Sequence, residues 1–382
     1  MHFDQIIGQQ HLKAHLSQSA DRGRIPHAQL FIGPEGCGTL PMALAYAQQI
    51  ICSAFAVGTK ERQNCEAKCG TLTHPDLHFA FPVTNSEKVK RHAVSDHYIK
   101  DWRQFVNAQP YGSLFDWYRH IGIEKKQGQI GVDEAQDIVK KLSLKSFEGG
   151  YKVLVVWMAE KMNLAAANKL LKLIEEPPSK TVFLLVTEDE AQIINTIKSR
   201  CQHLHFPRLS EEDIRTALLA QGLNQSKATQ VAWEASGNLN KAFHLVTDTQ
   251  DTKQFDQWFV HWVRAAFKAK RDKSVVHELL SWSEELSKVG REVQKQFLSY
   301  CLSIIRQALL INYSSKNLGQ LSVDFEGFNF DKFAVFVHES NIEALVAALE
   351  KAIVHIERNG NAKLIFTDLA IKMTRLLHTK AA

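Results

Sequence analysis

Apolar positions along this chain follow two rhythms, and the change between them divides it. Up to about residue 206, short unbroken apolar runs alternate with segments of helical spacing. The runs are "HAQLFIG" (27–33), "YKVLVVWM" (151–158) and "TVFLLVT" (181–187). Runs of that length with few polar interruptions are expected of parallel strands buried on both faces. Between them, "LPMALAYAQQIICSAF" has helical periodicity, and Ile130, Ala135, Ile138, Val139 and Leu142 in "IGVDEAQDIVKKLSLKS" (130–146) fall roughly three or four apart. That spacing predicts amphipathic helices. "NLAAANKLLKLIEEPP" adds an N-cap at Asn163 and a stop at Pro177–Pro178. Strand and helix in alternation predict an α/β domain built on a parallel sheet.

Beyond "HFPRLS" (205–210) the strand signal fades. "SEEDIRTALLAQGL" (210–223) opens with Ser210 and Asp213 spaced as a capping box. Two more short helices are expected to about residue 248, with a turn at "ASGNLNKAF" (235–243). From residue 253 the pattern is helical almost throughout, with wide apolar faces at Trp258, Phe259, Trp262, Val263 and Phe267, and at Phe297, Leu298, Leu302, Ile305 and Leu309. "NIEALVAALEKAIVHIERN" (341–359) is a further amphipathic helix with basic last turns, which suits the helix dipole. The expected division is therefore 1–207 for the sheet domain, 208–249 for a small helical domain and 250–382 for an all-helical one. The segment 84–129 is polar and aromatic without a clear period, and reads as decoration on the sheet domain.

Bulk properties narrow the functional class only a little. A chain of 382 residues, 45% hydrophobic and 23% charged, is expected to be a soluble protein of two or three domains. It has no run of 18 apolar residues and no signal-peptide layout at its start, so no membrane span and a cytoplasmic location are the expectation. Six cysteines in such a chain do not suggest a disulfide framework. A net charge of +5 permits nucleic-acid contact without arguing for it, and the basic cluster Lys88, Lys90 and Arg91 reads as a solvated loop.

Specific chemistry enters at "GPEGCGTL" (33–40). It nearly spells G-x-x-x-x-G-K-[ST], whose backbone N–H groups cradle phosphates while the lysine and hydroxyl hold phosphate and Mg²⁺. Gly33, Gly36 and Gly38 are kept, but Thr39 stands at the lysine position and Leu40 at the hydroxyl. Losing the lysine removes a charge-assisted hydrogen bond of roughly 1.5–3 kcal/mol. The next buried strand ends in Trp157, where an ATPase places a Mg²⁺-binding aspartate, and only Glu160 is acidic nearby. Two devices are missing together, so the chain is expected not to hydrolyse ATP, and its affinity for nucleotide is expected to fall toward millimolar. The loop is then a tight strand-to-helix turn.

"NTIKSRCQHLHF" (195–206) carries Arg200 between Ser199 and Cys201, where the sheet domain gives way to helices. A guanidinium is permanently charged and forked, so it suits a finger reaching a γ-phosphate on a neighbouring subunit. Alone, three letters fit a surface ion pair better.

"RIPHAQLFIGPEGCGT", "NKLLKLIEEPP", "INTIKSRCQ" and "ASGNLNKA" together resemble the clamp-loader group of AAA+ proteins over about residues 3–245, and "IERNGNAKLIFTDLAIKM" does so more loosely. The resemblance implies an AAA+ domain, a helical lid and a C-terminal collar that joins subunits in a ring. It also implies a subunit that binds no ATP and presents Arg200 to the ATP site of an adjacent gamma/tau-type motor, with Ser199 and Cys201 fixing its direction. Gly33, Gly36, Gly38 and Thr39 become a remnant loop, and Asn238 with Lys241 fall where related ATPases bring lid residues to nucleotide. The implied partners are motor and delta subunits, a sliding clamp and primer-template DNA.

Group members commonly carry a four-cysteine zinc module. Here only Cys52, Cys65 and Cys69 match it, ending in C-x-x-x-C, and His74 aligns with an H-P-D segment rather than with a ligand. Structural zinc takes four ligands. Two other readings stay open on the residues: an ATP-hydrolysing motor of the same machine, or a zinc- or nucleic-acid-binding module on the same fold.

Overall fold

In the computed structural model, residues 1–124, 126–247, 250–270, 272–313 and 327–379 are described. The chain divides into two compact units, one of Met1–Ile123 and Gln127–Phe243, the other of Glu124–Lys126 and His244–Ala382. The expected boundary at residue 249 lies outside the described residues.

The first unit is built on five parallel strands: β1 (Ala28–Ile32), β2 (Leu77–Ala80), β3 (Lys152–Trp157), β4 (Thr181–Thr187) and β5 (Gln202–His205). They lie in the order β2-β3-β4-β1-β5, so β1 is held between β4 and the edge strand β5. Successive strand residues point to opposite faces. Phe31, Val153, Val155, Leu184 and Val186 therefore enter the core on one face. Leu30, Leu154, Val156, Phe183 and Leu185 enter a second core on the other. Two dry faces explain why these strands read as unbroken apolar runs.

Helices α1 (Gln10–Asp21), α2 (Thr39–Cys52), α3 (Lys60–Gly70), α4 (Ile99–Ala108), α5 (Leu114–His120), α6 (Val132–Ser143), α7 (Leu164–Glu175) and α8 (Asn195–Lys198) flank the sheet. Asn163 caps α7 as expected, its side chain accepting from the Ala166 N–H at 2.8 Å. The segment 84–129 is more than decoration. Helices α4 and α5 drive Trp102, Phe105, Trp117 and Tyr118 into the core, where Trp102 stacks on Phe81 at 4.3 Å. With only ten and seven residues, these helices carry too few turns for a period to show in the sequence.

Three short helices follow: α9 (Glu211–Ala220), α10 (Gln225–Ala235) and α11 (Leu239–Thr247), of which α11 belongs to this unit up to Phe243. The capping box at Ser210 forms, with its hydroxyl accepting from the Asp213 N–H at 3.1 Å and donating to the Asp213 carboxylate at 2.6 Å.

The second unit is helical: α12 (Gln250–Lys268), α13 (Val276–Lys288), α14 (Arg291–Tyr313), α15 (Phe330–Ala334), α16 (Glu339–Glu357) and α17 (Ala362–Leu376). Its core takes the apolar faces expected from the sequence, centred on Trp262 and Trp282 stacked at 4.8 Å. Phe267, Leu302 and Leu309 are only partly buried at its margin. Among the described residues, no helix is long and apolar enough to cross a membrane.

A correction concerns the cysteines. Cys52, the last residue of α2, and Cys65 of α3 form a disulfide, their Cα atoms 5.8 Å apart. The expectation of unpaired thiols rested on compartment. The pairing rests on two buried side chains facing each other where α3 folds back against α2.

Candidate functional site

The loop after β1 lies at the carboxyl end of the sheet, where open α/β sheets bind ligands. Its entry is set by the ladder: the Gly33 N–H donates to the Thr187 carbonyl at 3.1 Å, and the Phe206 N–H to the Ile32 carbonyl at 2.7 Å. Its exit is Gly38, which precedes the first turn of α2 with φ of +98°, a conformation that a side chain would strain. Thr39 and Leu40 are both buried, and Leu40 belongs to the core beneath the loop. An isobutyl group thus packs where a Mg²⁺-binding hydroxyl would sit.

What faces the loop is the start of α11. Asn238 donates from Nδ2 to Glu35 Oε1 at 3.1 Å, and its Oδ1 accepts from the Lys241 N–H at 2.9 Å, capping that helix. The Leu239 N–H donates to the Gly36 carbonyl at 3.2 Å. Asn240 is buried and donates from Nδ2 to Asp116 Oδ2 at 2.8 Å and to Glu35 Oε1 at 3.5 Å. The approach is so close at Gly36 that a Cβ there would lie 2.0 Å from Asn238 Oδ1. Gly36 is therefore explained by helix docking, without reference to phosphate. A carboxylate, Glu35, occupies the mouth of the loop and is held by two side-chain amides. Charge of that sign repels a phosphate rather than attracting it.

The floor is equally altered. Trp157 ends β3 fully inside an aromatic cluster, 5.1 Å from Trp102 and 6.1 Å from Phe105 between ring centroids. Glu160 does not replace the missing aspartate. Its Oε1 accepts from the Glu188 N–H at 3.4 Å, and burial raises its carboxyl above the usual range. Burial likewise pushes the Cys37 thiol up to about 12 and the Tyr111 hydroxyl up to about 12, which leaves both uncharged. Tyr111 fixes the other side of the loop, with its hydroxyl accepting from the Ile7 N–H at 2.8 Å. Gln9 bridges the loop to β5, donating to the Cys37 carbonyl at 3.1 Å and the Pro207 carbonyl at 2.7 Å.

Arg200 lies elsewhere, past the end of α8, and is exposed. Its Nη1 donates to the Thr196 carbonyl at 2.9 Å and to Ser199 Oγ at 3.1 Å, while Nη2 pairs with Glu175 Oε1 at 2.7 Å. Side chains of both partners are 37% exposed. An ion pair that wet contributes no more than about 1 kcal/mol. Cys201 packs against the second core, and burial raises its thiol to about 11.

The cysteine cluster does not fit the zinc module. Cys52 and Cys65 are consumed by their disulfide, which leaves Cys69 as the single thiol of the three, pushed up to about 12 by burial. His74 offers no lone pair. Its Nδ1 accepts from the Asp76 N–H at 3.1 Å, so Nε2 carries the proton that it donates to Glu148 at 3.0 Å. Lys68 engages the same carboxylate at 2.7 Å and is the main reason that Glu148 titrates below its usual value. Of the basic cluster, Lys88 is 73% exposed and lies 3.6 Å from Asp101.

Sequence reasoning located Gly33, Gly36, Gly38, Thr39, Asn238 and Lys241, and the structure brings all six to one loop and the helix docked on it. It missed Glu35, Asn240 and Asp116. An acidic residue inside a phosphate-type loop was the available signal for Glu35. Asp116 and Asn240 are 124 residues apart, and no local pattern joins them.

A family model described as DNA polymerase III, delta subunit, matches residues 8–210, just over half of the chain. The chain is 28% identical over 231 residues to the DNA polymerase III subunit delta' of Bacillus subtilis, covering 60% of this chain and 56% of that protein. It is 34% identical over 121 residues to the delta' subunit of Escherichia coli, 32% of this chain and 36% of that one. The gamma/tau subunit of Mycobacterium tuberculosis is 28% identical over 219 residues, 57% of this chain but only 31% of the relative. The chain thus spans about a third to a half of these relatives' lengths.

Proposed function

Because this chain belongs to the DNA polymerase III delta-subunit family, we propose that it works as a non-hydrolysing member of a clamp loader, a fixed partner that lends Arg200 to a neighbour's ATP site. The observation that carries the first half is Glu35, seated in the mouth of the loop and tied by Asn238 and Asn240. A nucleotide would have to displace that carboxylate and break the Leu239–Gly36 backbone bond, without a lysine at position 39 to compensate. Trp157 supplies no oxygen to Mg²⁺. Each 1.4 kcal/mol lost weakens binding roughly tenfold, so affinity for Mg·ATP falls to millimolar or worse.

The second half rests on Arg200. Its guanidinium is exposed, bonded to Ser199 and the Thr196 carbonyl of its own turn, and paired with Glu175. In trans it would neutralise charge developing on a γ-phosphate held by a gamma/tau-type motor, an effect on the order of 10³–10⁵ in rate. The assembly that this implies contains motor and delta subunits, a sliding clamp and primed DNA, with the helical second unit as the collar.

Two experiments separate the halves. Equilibrium binding of Mg·ATP to the purified chain is expected to fail up to about a millimolar, and tight binding with turnover would return the chain to the motors. In a reconstituted loader, Arg200→Ala is expected to leave assembly intact and depress DNA-stimulated ATPase activity. An unchanged rate would sink the finger.

A further inference from the structure

Apart from the loop, Arg200 and the cysteines, a second group of potential ligands stands on the sheet edge. Glu190, His203 and His205 bring one donor atom each to within 4.8 Å of the others. His203 and His205 alternate along β5 with buried Leu204 between them, so both imidazoles leave the same face of the edge strand. Glu190 approaches from the turn after β4, its Oε1 lying 3.6 Å from His203 Nδ1.

The orientation of His203 is the informative point. Its Nε2 is 3.0 Å from the Lys198 carbonyl, and a carbonyl oxygen can only accept, so Nε2 carries a proton. The lone pair of the neutral ring is then on Nδ1, facing the Glu190 carboxylate. Two electron-rich atoms 3.6 Å apart repel, and a cation between them, whether a proton or a metal ion, turns that repulsion into attraction. Histidines that bind metal characteristically donate their other N–H to a backbone carbonyl in this way, which fixes the tautomer and the ring. Tetrahedral ligands at 2.0–2.1 Å from zinc lie about 3.3 Å apart, so the 3.6 Å separation is already close to what coordination requires.

We propose that Glu190, His203 and His205 form a binding site for a divalent transition metal of the zinc class. The His₂-carboxylate set suits imidazole-preferring metals, and its exposed position leaves the fourth coordination place to water. The ion would staple the turn at Glu190 to β5 across the segment that carries Ser199, Arg200 and Cys201. The proposal does not depend on the role given to Arg200.

The test is zinc titration of the full chain without reductant, by calorimetry and by metal analysis after gel filtration, with cobalt(II) absorption as the spectroscopic probe. One equivalent is expected, and the cobalt complex should show ligand-field bands without thiolate charge transfer, which separates this site from Cys69. His203→Ala, His205→Ala and Glu190→Gln should each weaken binding at least tenfold, since even outer-shell partners matter on that scale. All three positions are on the surface, and circular dichroism confirms that the variants fold. Absence of uptake by the parent chain overturns the site, as does undiminished uptake by the double histidine variant. A thiolate charge-transfer band that survives both histidine substitutions would move the metal to the cysteines and have the same effect.

Discussion

The loop at 33–40 and the turn at Arg200 are two pieces of what looks in sequence like one nucleotide-processing device, yet they are built oppositely. The loop is sealed from within. Leu40 and Trp157 are core residues, and Glu35 is tied to α11 by amides. Arg200 is open, bonded to its own turn and to one half-exposed carboxylate. Core packing and amide hydrogen bonds hold the first region, whereas the second rests on its own turn and one solvent-exposed ion pair. The proposed function uses that difference: the glycines serve packing, while the outward-facing arginine is free to be offered to a neighbour.

The strongest test of that contrast is Arg200→Ala in the reconstituted loader. Hydrolysis at the adjoining site should fall by about 10³ or more, while the isolated variant unfolds at the same temperature as its parent. A comparable loss of stability would mean that the arginine is a structural residue like those of the loop. Next in size is the crosslink behind α2. Opening Cys52–Cys65, which are 13 residues apart, should lower unfolding free energy by about 3 kcal/mol on the loop-entropy account, measured in denaturant with and without reductant.

Asn240→Ala removes one of several donors to Asp116 Oδ2 and Glu35 Oε1 and should cost about 0.5–1.5 kcal/mol, the net worth of a hydrogen bond. If stability is unchanged, the seal on the loop is looser than its geometry indicates. Glu160 gives a pH signature of the same buried region. Its carboxyl is raised by burial, so the folded state favours the protonated form. Its stabilising contribution is complete below the unfolded pKa near 4.5 and is lost as pH rises through the higher folded value. Glu160→Gln should flatten that part of the stability profile, and an unaltered profile would place the titration elsewhere. The smallest effect belongs to Glu175→Gln, which frees the guanidinium at a cost below about 1 kcal/mol. Motor ATPase should be unchanged or slightly raised, and a large fall would show that Glu175 aims the finger rather than detaining it.

Legibility followed the range of the forces. β1, β3 and β4, the caps at Asn163 and Ser210 and the helical second unit were readable because burial on two faces, capping and amphipathic spacing act over a few neighbouring residues. Helices α4 and α5 were not, since at ten and seven residues they are too short to show a period, and their apolar residues answer to Phe81 and Trp157 as well as to one another. The disulfide was missed because composition argues from compartment, whereas pairing depends on how α3 folds back on α2.

Sequence alone determined what the loop lacks in place: position 39 carries no cation, position 40 no hydroxyl and position 157 no carboxylate. Tertiary structure decided what stands in their place. Asn238 and Asn240 meet Glu35 across more than two hundred residues only because α9, α10 and α11 fold back on the sheet. It also decided why position 36 is a glycine, since a Cβ there would meet Asn238, and that nearness is not a property of sequence.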